Sequence, residues 1–425
     1  MTDTAASASA RTDGRGGIFS RITGWLRSHI VRGPLNYRIL FTVMFLNVLG
    51  IIMIYSTSFY LFKDPFRLLR QQVTYVVIGV AAMLITARVD YHFWVRWIGP
   101  FGAILSVILI LLLKTGLGVH SLGATRWLKI GPISFQVAEP VKTLFMLFYA
   151  WVISRSRLSN KFSIALYWGA TLVCAALFLV ISDNMSTAMI LFLIGAVVNF
   201  VNRPGYRRYI AVILLGIAAV FLLVLYVESQ PASSASGSEN FRLVRIRAFL
   251  HPYDEEYAQG EALQGLKALT AIGSGGFWGR GLGRGLVKLT LSEPYNDYIL
   301  AVIGEELGAF GILVLMVLFV YLLTQILLVA QRAADTAGRV FCIGVFAQIA
   351  VQTLLNIFVV IHWFPTTGVS LPFISYGGAS VIFLLIEIGI VFNIDNTAKN
   401  RRYRRDAEKE IDEIDRRRAL QELIR

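Results

Sequence analysis

Long apolar runs separated by short polar connections dominate this sequence of 425 residues. A transmembrane helix needs about 20 consecutive, mainly apolar residues. A soluble domain could not cover this much apolar surface, because 56% of the residues are hydrophobic and the mean hydropathy is +0.64. The pattern predicts an all-α, polytopic membrane protein with about ten transmembrane helices, at 38–58, 71–88, 93–113, 138–154, 162–182, 185–202, 208–228, 297–328, 339–362 and 374–394.

The positions of arginine and lysine predict how these helices are oriented. Short cytoplasmic connections collect Lys and Arg. With ten helices, the basic N-terminal tail, the connections at 154–161 and 203–208, the connection near Arg332 and the basic C-terminal tail all lie on one side. We therefore expect both termini to be cytoplasmic. The net charge of +14 then reflects membrane topology, and nucleic-acid binding is not predicted.

This orientation divides the chain into three parts. A basic cytoplasmic tail covers 1–36, a transmembrane domain covers 37–395, and a charged cytoplasmic tail covers 396–425. A large extracytoplasmic loop, 229–296, connects the seventh and eighth helices. A loop of this length is largely exempt from the charge rule and can carry cations for another purpose.

Asp297, at the start of the eighth run, is the first candidate for chemistry. It follows Glu293-Pro294-Tyr295-Asn296 and precedes a long apolar segment. A carboxylate at the end of a membrane helix is costly unless it is paired or hydrated, and it therefore indicates function. Capping of the helix is the structural alternative, since Asp is a good N-cap residue. The two roles are compatible.

Basic residues accompany Asp297 on the predicted outer side. Lys288 follows the glycine-rich run 273–285, whose backbone could approach an anion closely. A flexible interfacial loop is the alternative for that run. Arg245 lies earlier in the same loop. In the other outer loop, Arg126 precedes Trp127, a pattern typical of either a phosphate ligand or an interfacial anchor.

Glu139 and Lys142 lie where the fourth predicted span begins. They are three residues apart, so they share one face of the helix. Either they belong to the same anionic-substrate site as Asp297, or they form a salt bridge that neutralises both charges inside the bilayer. The sequence does not choose between these roles.

Four more polar residues lie deeper in the predicted spans. Glu305 and Glu306 are about 12 Å below Asp297 at 1.5 Å per residue, and we expect them to bond to neighbouring helices. Gln352 and Asn356 form an i, i+4 pair that we also expect to link helices.

The segment 365–380 opens the last predicted span with two prolines and several glycines. Backbone that is not helical at this depth persists only where protein or a water-filled cavity covers it. We therefore predict a substrate-facing wall near the outer leaflet, with Ser375, Gly377 and Gly378 as supporting residues.

Taken together, these motifs resemble the SEDS family (shape, elongation, division and sporulation), whose members include FtsW, RodA and SpoVE. The resemblance covers about 37–395 and is carried by the segments GATRWL, the glycine-rich run ending in Lys288, PYNDYILAVIGEELGAFG and TGVSLPFISYGGAS. The chain departs from the usual family motifs at 136–139, 182–188 and 295–300, but the charged residues are retained.

The resemblance implies a peptidoglycan glycosyltransferase in the bacterial cell membrane with its active site on the periplasmic side. Its substrate would be lipid II, a disaccharide-pentapeptide on undecaprenyl diphosphate. Asp297 would be the catalytic residue. Arg126, Lys142, Lys288 and Arg245 are then candidates for binding the diphosphate, with Glu139 and Trp127 in support, and a divalent cation (Mg²⁺ or Mn²⁺) is a further candidate.

Partners and sub-family are also implied by the resemblance. FtsW-like proteins work with a cognate class B penicillin-binding protein and with division proteins. The polar N-terminal extension and the charged C-terminal tail favour the FtsW type, which acts in septal synthesis. A RodA-like polymerase of cell elongation and a lipid II flippase remain the alternatives.

Overall fold

The computed structural model describes residues 33–61, 64, 66–121, 124–130, 133–155, 161–182, 184–202, 206–229, 241–254, 262–291 and 293–423. Most of the predicted N-terminal tail, 1–36, lies outside these residues. The described part is predominantly helical, with α1 Tyr37–Leu61, α2 Phe66–Arg88, α3 Tyr91–Trp97, α4 Gly102–Leu112, α5 Ala138–Ser154, α6 Lys161–Ile181, α7 Met185–Asn202, α8 Tyr206–Ser229, α9 Phe241–Leu250, α10 Leu263–Gly275, α11 Ile299–Arg332, α12 Thr336–Val360 and α13 Gly378–Leu423.

Seven of the described helices are long and apolar enough to cross a membrane: α1, α2, α6, α7, α11, α12 and α13. Helices α3 and α4 form a pair bent by 40° that would make an eighth crossing. Helices α5 and α8 occupy the two other predicted spans. The all-α, polytopic membrane class is thus confirmed, while the count of ten, the side of each loop and the side of the termini stay predictions.

Helix α12 lies at the centre of the bundle, where it contacts α5, α7, α11 and α13. Helix α13 packs chiefly against α2. One side of α12 is buried against these helices, whereas Leu354 and Phe358 lie on a side that is exposed. Gln348, Gln352 and Asn356 are all buried on it, and their spacing of four residues places them on one face.

The first predicted outer loop, between the third and fourth predicted spans, contains a small antiparallel sheet. Its strands are β1 Gly118–Ser121, β2 Ala124–Ile130 and β3 Ile133–Gln136, in the order β1-β2-β3. Trp127 pairs with Gln136 in this sheet, and β3 leads directly into α5. The sheet thereby fixes Arg126, the neighbour of Trp127, above the start of α5.

The span predicted at 297–328 is broken near its N-terminal end. Gly308 has φ 72° and ψ −171° inside α11, which leaves nearby backbone groups without helical partners. The glycine-rich run supplies those partners through four hydrogen bonds of 2.9–3.0 Å: Arg280 N to Glu305 O, Gly281 N to Glu306 O, Ala309 N to Gly276 O and Phe310 N to Phe277 O.

The glycine-rich run is therefore docked against the break in α11. A β-carbon at Gly308 would collide with backbone atoms of Phe277 and Gly279, so the close approach depends on glycine at this position. The structure does not support the run as an open anion-binding loop, because its backbone N–H groups at 280 and 281 are donated to α11.

Candidate active site

Asp297 lies in the turn that precedes α11. The helix begins at Ile299 with Tyr298 at the capping position, and no side-chain capping bond is made there. The capping interpretation of Asp297 is therefore wrong. Its side chain is half-buried, and its backbone carbonyl accepts a hydrogen bond of 2.8 Å from the Asn356 amide on α12. Asp297 is thus fixed through its backbone.

The non-helical segment 361–377 holds the residues before Asp297 in place. Ser375 Oγ donates to Asn296 O at 2.7 Å, and the Tyr376 N–H donates to Tyr295 O at 2.9 Å. Ser375 Oγ also accepts from the Leu371 N–H at 2.8 Å. The predicted wall is therefore directly bonded to the candidate catalytic segment.

Arg126 and Asp297 face a common point at Gly368. A β-carbon placed at Gly368 would lie 2.9 Å from Arg126 Nη1 and 3.4 Å from Asp297 Oδ2. The two charged atoms consequently lie within about 6 Å of each other, a range in which opposite charges stabilise one another. Gly368 has φ 69° and no side chain, so the backbone can approach both groups.

Three chain segments that are distant in sequence form this site. Strand β2 supplies Arg126, the turn before α11 supplies Asp297, and the segment after α12 supplies Gly368. The Arg126 carbonyl accepts a hydrogen bond of 3.3 Å from the Val137 N–H, which ties β2 to the start of α5. The arrangement places a cation and a carboxylate in one cleft.

The pKa of Tyr295 reflects the negative charge that lies near it. Burial raises the pKa of its phenol, and the carboxylates of Glu293 and Asp297 raise that pKa further. The phenol therefore keeps its proton at neutral pH. Negative charge at the cleft calls for a compensating cation such as Arg126.

Lys288 does not join this cleft. Its side chain is completely buried, and its Nζ lies 2.6 Å from Glu306 Oε1. The same ammonium donates to Ser56 O and Ser56 Oγ at 3.0 Å and to Gly283 O at 3.2 Å. The protein thus uses the hydrogen bonds of Lys288 internally, and its placement gives no support to the predicted contact with a substrate diphosphate.

Lys142 is also buried within the protein. Its Nζ lies 2.9 Å from the Glu139 carboxylate, and their side chains are only 2% and 5% exposed. The neighbouring Thr143 donates to Glu387 on α13 at 2.6 Å, and Gln348 donates to the other oxygen of Glu387 at 3.1 Å. The neutralising salt bridge is therefore the alternative that the geometry favours for Glu139 and Lys142.

The expected bond to a neighbouring helix is confirmed for Glu306, whereas Glu305 bonds to the segment that follows the glycine-rich run. Glu305 Oε1 accepts from the N–H groups of Leu286 and Val287 at 2.7 and 3.0 Å. Glu306 accepts from Ser56 on α1 at 2.7 Å in addition to Lys288. Both carboxylates fasten the segment 276–289 to the broken helix, which explains why two acids are tolerated at this depth.

The remaining predicted site residues are dispersed. Gly377 and Gly378 face α2, since the Gly377 N–H donates to Gln72 at 3.4 Å and a β-carbon at Gly378 would lie 2.8 Å from the Tyr75 ring. Trp127 is half-buried on β2. Arg245 belongs to α9, but its side chain lies outside the described part of the structure.

The structure therefore brings together Asp297, Arg126 and Ser375 from the predicted set and adds two residues. The sequence places Gly368 only within a glycine-containing motif, and it predicts no more for Asn356 than a link between helices. The sequence signal for Asn356 was a buried amide on a membrane helix, which does not say which segment it contacts.

The described residues contain no group of three His, Cys, Asp or Glu side chains that could hold a metal ion. Asp297 alone could still contribute a ligand, because Mg²⁺ commonly binds through one or two carboxylates together with substrate phosphates. The donor set thus fits a cation shared with a substrate diphosphate, but not a protein cage.

Comparison with known proteins identifies the family. The family described as "Cell cycle protein" (FtsW, RodA, SpoVE) matches residues 37–400. The chain belongs to this family. The probable peptidoglycan glycosyltransferase FtsW of Trichlorobacter lovleyi is 33% identical, over 84% of this chain and 92% of its own length. The stage V sporulation protein E of Bacillus subtilis is 30% identical, over 85% of this chain and 96% of its own length.

Solved structures support the same fold. A chain from a structure described as "Structural coordination of polymerization and crosslinking by a peptidoglycan synthase complex" has a TM-score of 0.69 and 22% identity, covering 86% of this chain and 98% of that one. The rod shape determining protein RodA of Thermus thermophilus has a TM-score of 0.62 and 22% identity, covering 85% and 96%. The described helices thus adopt the membrane fold of this family.

Proposed function

We propose that this protein is a peptidoglycan glycosyltransferase that polymerises lipid II into glycan strands, with Asp297 as the catalytic base. The observation that carries the proposal is the meeting of the Asp297 carboxylate and the Arg126 guanidinium at Gly368. Family membership and the names of the relatives support the same activity. A base and a cation in one cleft match the two needs of glycosyl transfer from a diphosphate donor.

The reaction joins the 4-hydroxyl of GlcNAc on one lipid II to the anomeric carbon of MurNAc at the end of the growing chain. The donor bond is α and the product bond is β, so a single in-line displacement inverts the centre. Asp297 removes the hydroxyl proton as the oxygen attacks. The C–O bond to undecaprenyl diphosphate breaks, and the diphosphate leaves with the bonding pair.

The leaving diphosphate needs positive charge as its bond breaks. Arg126 is the residue we assign to this role, because its planar guanidinium can donate two parallel hydrogen bonds to phosphate oxygens. Lys142 and Lys288 are not assigned to it, since both are buried in ion pairs. A divalent cation, Mg²⁺ or Mn²⁺, bound through Asp297 and the diphosphate would supply further charge compensation.

For the biological setting we propose septal synthesis of the FtsW type, at the periplasmic face of a bacterial inner membrane. Several of the most similar relatives carry the FtsW name. A cognate class B penicillin-binding protein is the proposed partner, and division proteins would bind the tails. Localisation of a tagged copy to midcell supports the FtsW type, whereas localisation along the sidewall supports the RodA type.

The activity is tested with the purified full-length chain in liposomes that contain fluorescent lipid II. Wild-type protein should form glycan polymer, and Asp297→Ala should remain folded but form none. A polymer yield from Asp297→Ala equal to that of wild type rejects Asp297 as the base.

The same liposomes test the flippase alternative. Buried charges inside a bundle also suit transporters, but here Lys142 and Lys288 are paired with carboxylates of the same protein. Movement of lipid II between leaflets without polymer would favour transport. Polymer without faster movement between leaflets would favour the transferase.

A further inference from the structure

Asn356 of α12 bonds to two segments that form the cleft, the turn before α11 and the segment after α12. Its Nδ2 donates to Asp297 O at 2.8 Å and to Val369 O at 2.8 Å. Val369 directly follows Gly368, the point that Arg126 and Asp297 face. A single amide on α12 therefore links the backbone of the turn that carries Asp297 to the backbone beside Gly368.

We propose that Asn356 is a positioning residue that sets the separation between Asp297 and the Gly368 wall, and with it the alignment of base and leaving group. This inference rests on the proposed function and extends it. It differs from a general role in linking helices, because the acceptors are backbone carbonyls of the cleft.

The chemistry of the contact uses the amide of Asn356 as a double donor. Both neighbours are carbonyl oxygens, so only the two N–H donors of Nδ2 can satisfy them together. The side chain is completely buried, and its Oδ1 has no hydrogen-bond partner among the described residues. Asn356 thus acts at this site through its donors alone.

The geometry also explains why this contact would control rate more than affinity. Asn356 is completely buried and bonds to the backbone of the cleft, so it does not contact the substrate itself. Loss of the two hydrogen bonds would let Asp297 shift relative to Arg126, and a shift of about 1 Å at a reacting group can cost about 10²-fold in rate.

Gln352 offers a matched control on the same helix. It lies one turn deeper on the same face, is 4% exposed and also has an unpartnered amide oxygen among the described residues. Leucine at either position removes one buried amide of a membrane helix. Only the change at Asn356 removes the bonds to the cleft.

The experiment compares Asn356→Leu and Gln352→Leu in the lipid II polymerisation assay, together with thermal unfolding of each full-length variant. We expect kcat of Asn356→Leu to fall about 100-fold while KM for lipid II stays within about threefold. Gln352→Leu should keep both constants within about threefold. An equal loss of kcat in the two variants, or an unchanged kcat in Asn356→Leu, overturns the positioning role.

A second variant keeps the test decisive if Asn356→Leu does not fold. Asn356→Gln retains both donors but adds one methylene, so it should fold and lose about tenfold in kcat through misplacement. A wild-type kcat in Asn356→Gln overturns the proposal. An inactive Asp297→Ala beside a fully active Asn356→Leu rejects only the positioning role, whereas an active Asp297→Ala rejects the catalytic assignment itself.

Discussion

The Lys288 ammonium lies 2.6 Å from the Glu306 carboxylate, and both side chains are completely buried. Ser56 on α1 bonds to both members of the pair. Helix α1, the glycine-rich segment and the broken helix α11 are therefore joined at one buried point. The sequence predicts Lys288 as a ligand of an anionic substrate, but in the structure its ammonium links buried segments of the protein.

This relationship predicts that Lys288→Met destabilises the protein by about 3–5 kcal/mol, because Glu306 is then a buried charge without its partner. The double variant Lys288→Met/Glu306→Gln should recover most of that loss, since it removes both charges. Thermal unfolding in detergent measures both effects. A stable single variant with weakened lipid II binding would restore Lys288 as a substrate ligand.

The break in α11 predicts a strong effect of Gly308→Ala. The residue has φ 72° and no space for a β-carbon, so alanine must undo the docking of the glycine-rich run. We expect little folded protein by size-exclusion chromatography. Gly169→Ala is the matched control on α6, where nothing lies within 4 Å of the added carbon. That change should leave stability equal or raise it by up to about 1 kcal/mol, and equal yields of both variants would contradict the role of Gly308.

Gly368→Ala tests the geometry of the cleft. The added methyl group would lie 2.9 Å from Arg126 Nη1 and should displace the guanidinium from Asp297. Gly276→Ala has a similarly positive φ of 57° but nothing within 4 Å of the added carbon. Both changes should cost about 1–3 kcal/mol in backbone strain, whereas only Gly368→Ala should abolish polymerisation. Retained activity in Gly368→Ala would place the active cleft elsewhere.

Arg126→Lys tests whether the proposed role of Arg126 needs the planar guanidinium or only a positive charge. Lysine keeps the positive charge but loses the planar fork that can grip a diphosphate. We expect a reduction in kcat of about 10- to 100-fold and a larger reduction for Arg126→Ala, in line with about 2–4 kcal/mol for loss of a charge-stabilising donor. Initial rates of lipid II polymerisation give both numbers. Equal rates for wild type and Arg126→Ala would remove Arg126 from the reaction.

The contacts of Asp335, at the other end of the bundle, predict that part of the protein's folding stability is lost in acid. It caps α12 through the Gly338 N–H at 2.8 Å and lies 2.7 Å from His92 Nε2. Burial alone would raise the pKa of Asp335, but its hydrogen bonds with His92 and Gly338 outweigh burial and hold that pKa below the ordinary value of an aspartate. Because the folded-state pKa is lowered, the stabilisation is complete above about pH 4 and is lost as the pH falls through the folded value.

Asp335→Asn isolates this effect, since Asn also caps helices well. The variant should unfold at a lower temperature than wild type at pH 7, and the difference should shrink as the pH is lowered below about 4. A difference in unfolding temperature that is constant from pH 7 to pH 3 would show that the charge of Asp335 contributes nothing.

The class of this protein and the position of its candidate base follow from local sequence. Apolar runs must become helices in a bilayer, because only internal hydrogen bonding satisfies the backbone there. That rule predicts the positions of the helices. The cost of a carboxylate at the end of a membrane helix identifies Asp297 as a candidate from the sequence alone. The buried roles of Glu305 and Glu306 follow from the same argument.

The partners of each charge were decided only by the tertiary structure. Arg126 and Lys288 look alike in sequence, since each is a cation that follows glycine in a predicted outer loop. One meets Asp297 at Gly368, and the other is buried against Glu306, because the break at Gly308 draws the glycine-rich run onto α11. Helix periodicity fixes which residues share a face, but contacts between distant segments depend on how helices pack and where backbones can approach. Asn356, an amide of ordinary appearance on α12, acquires its place at the cleft from that packing alone.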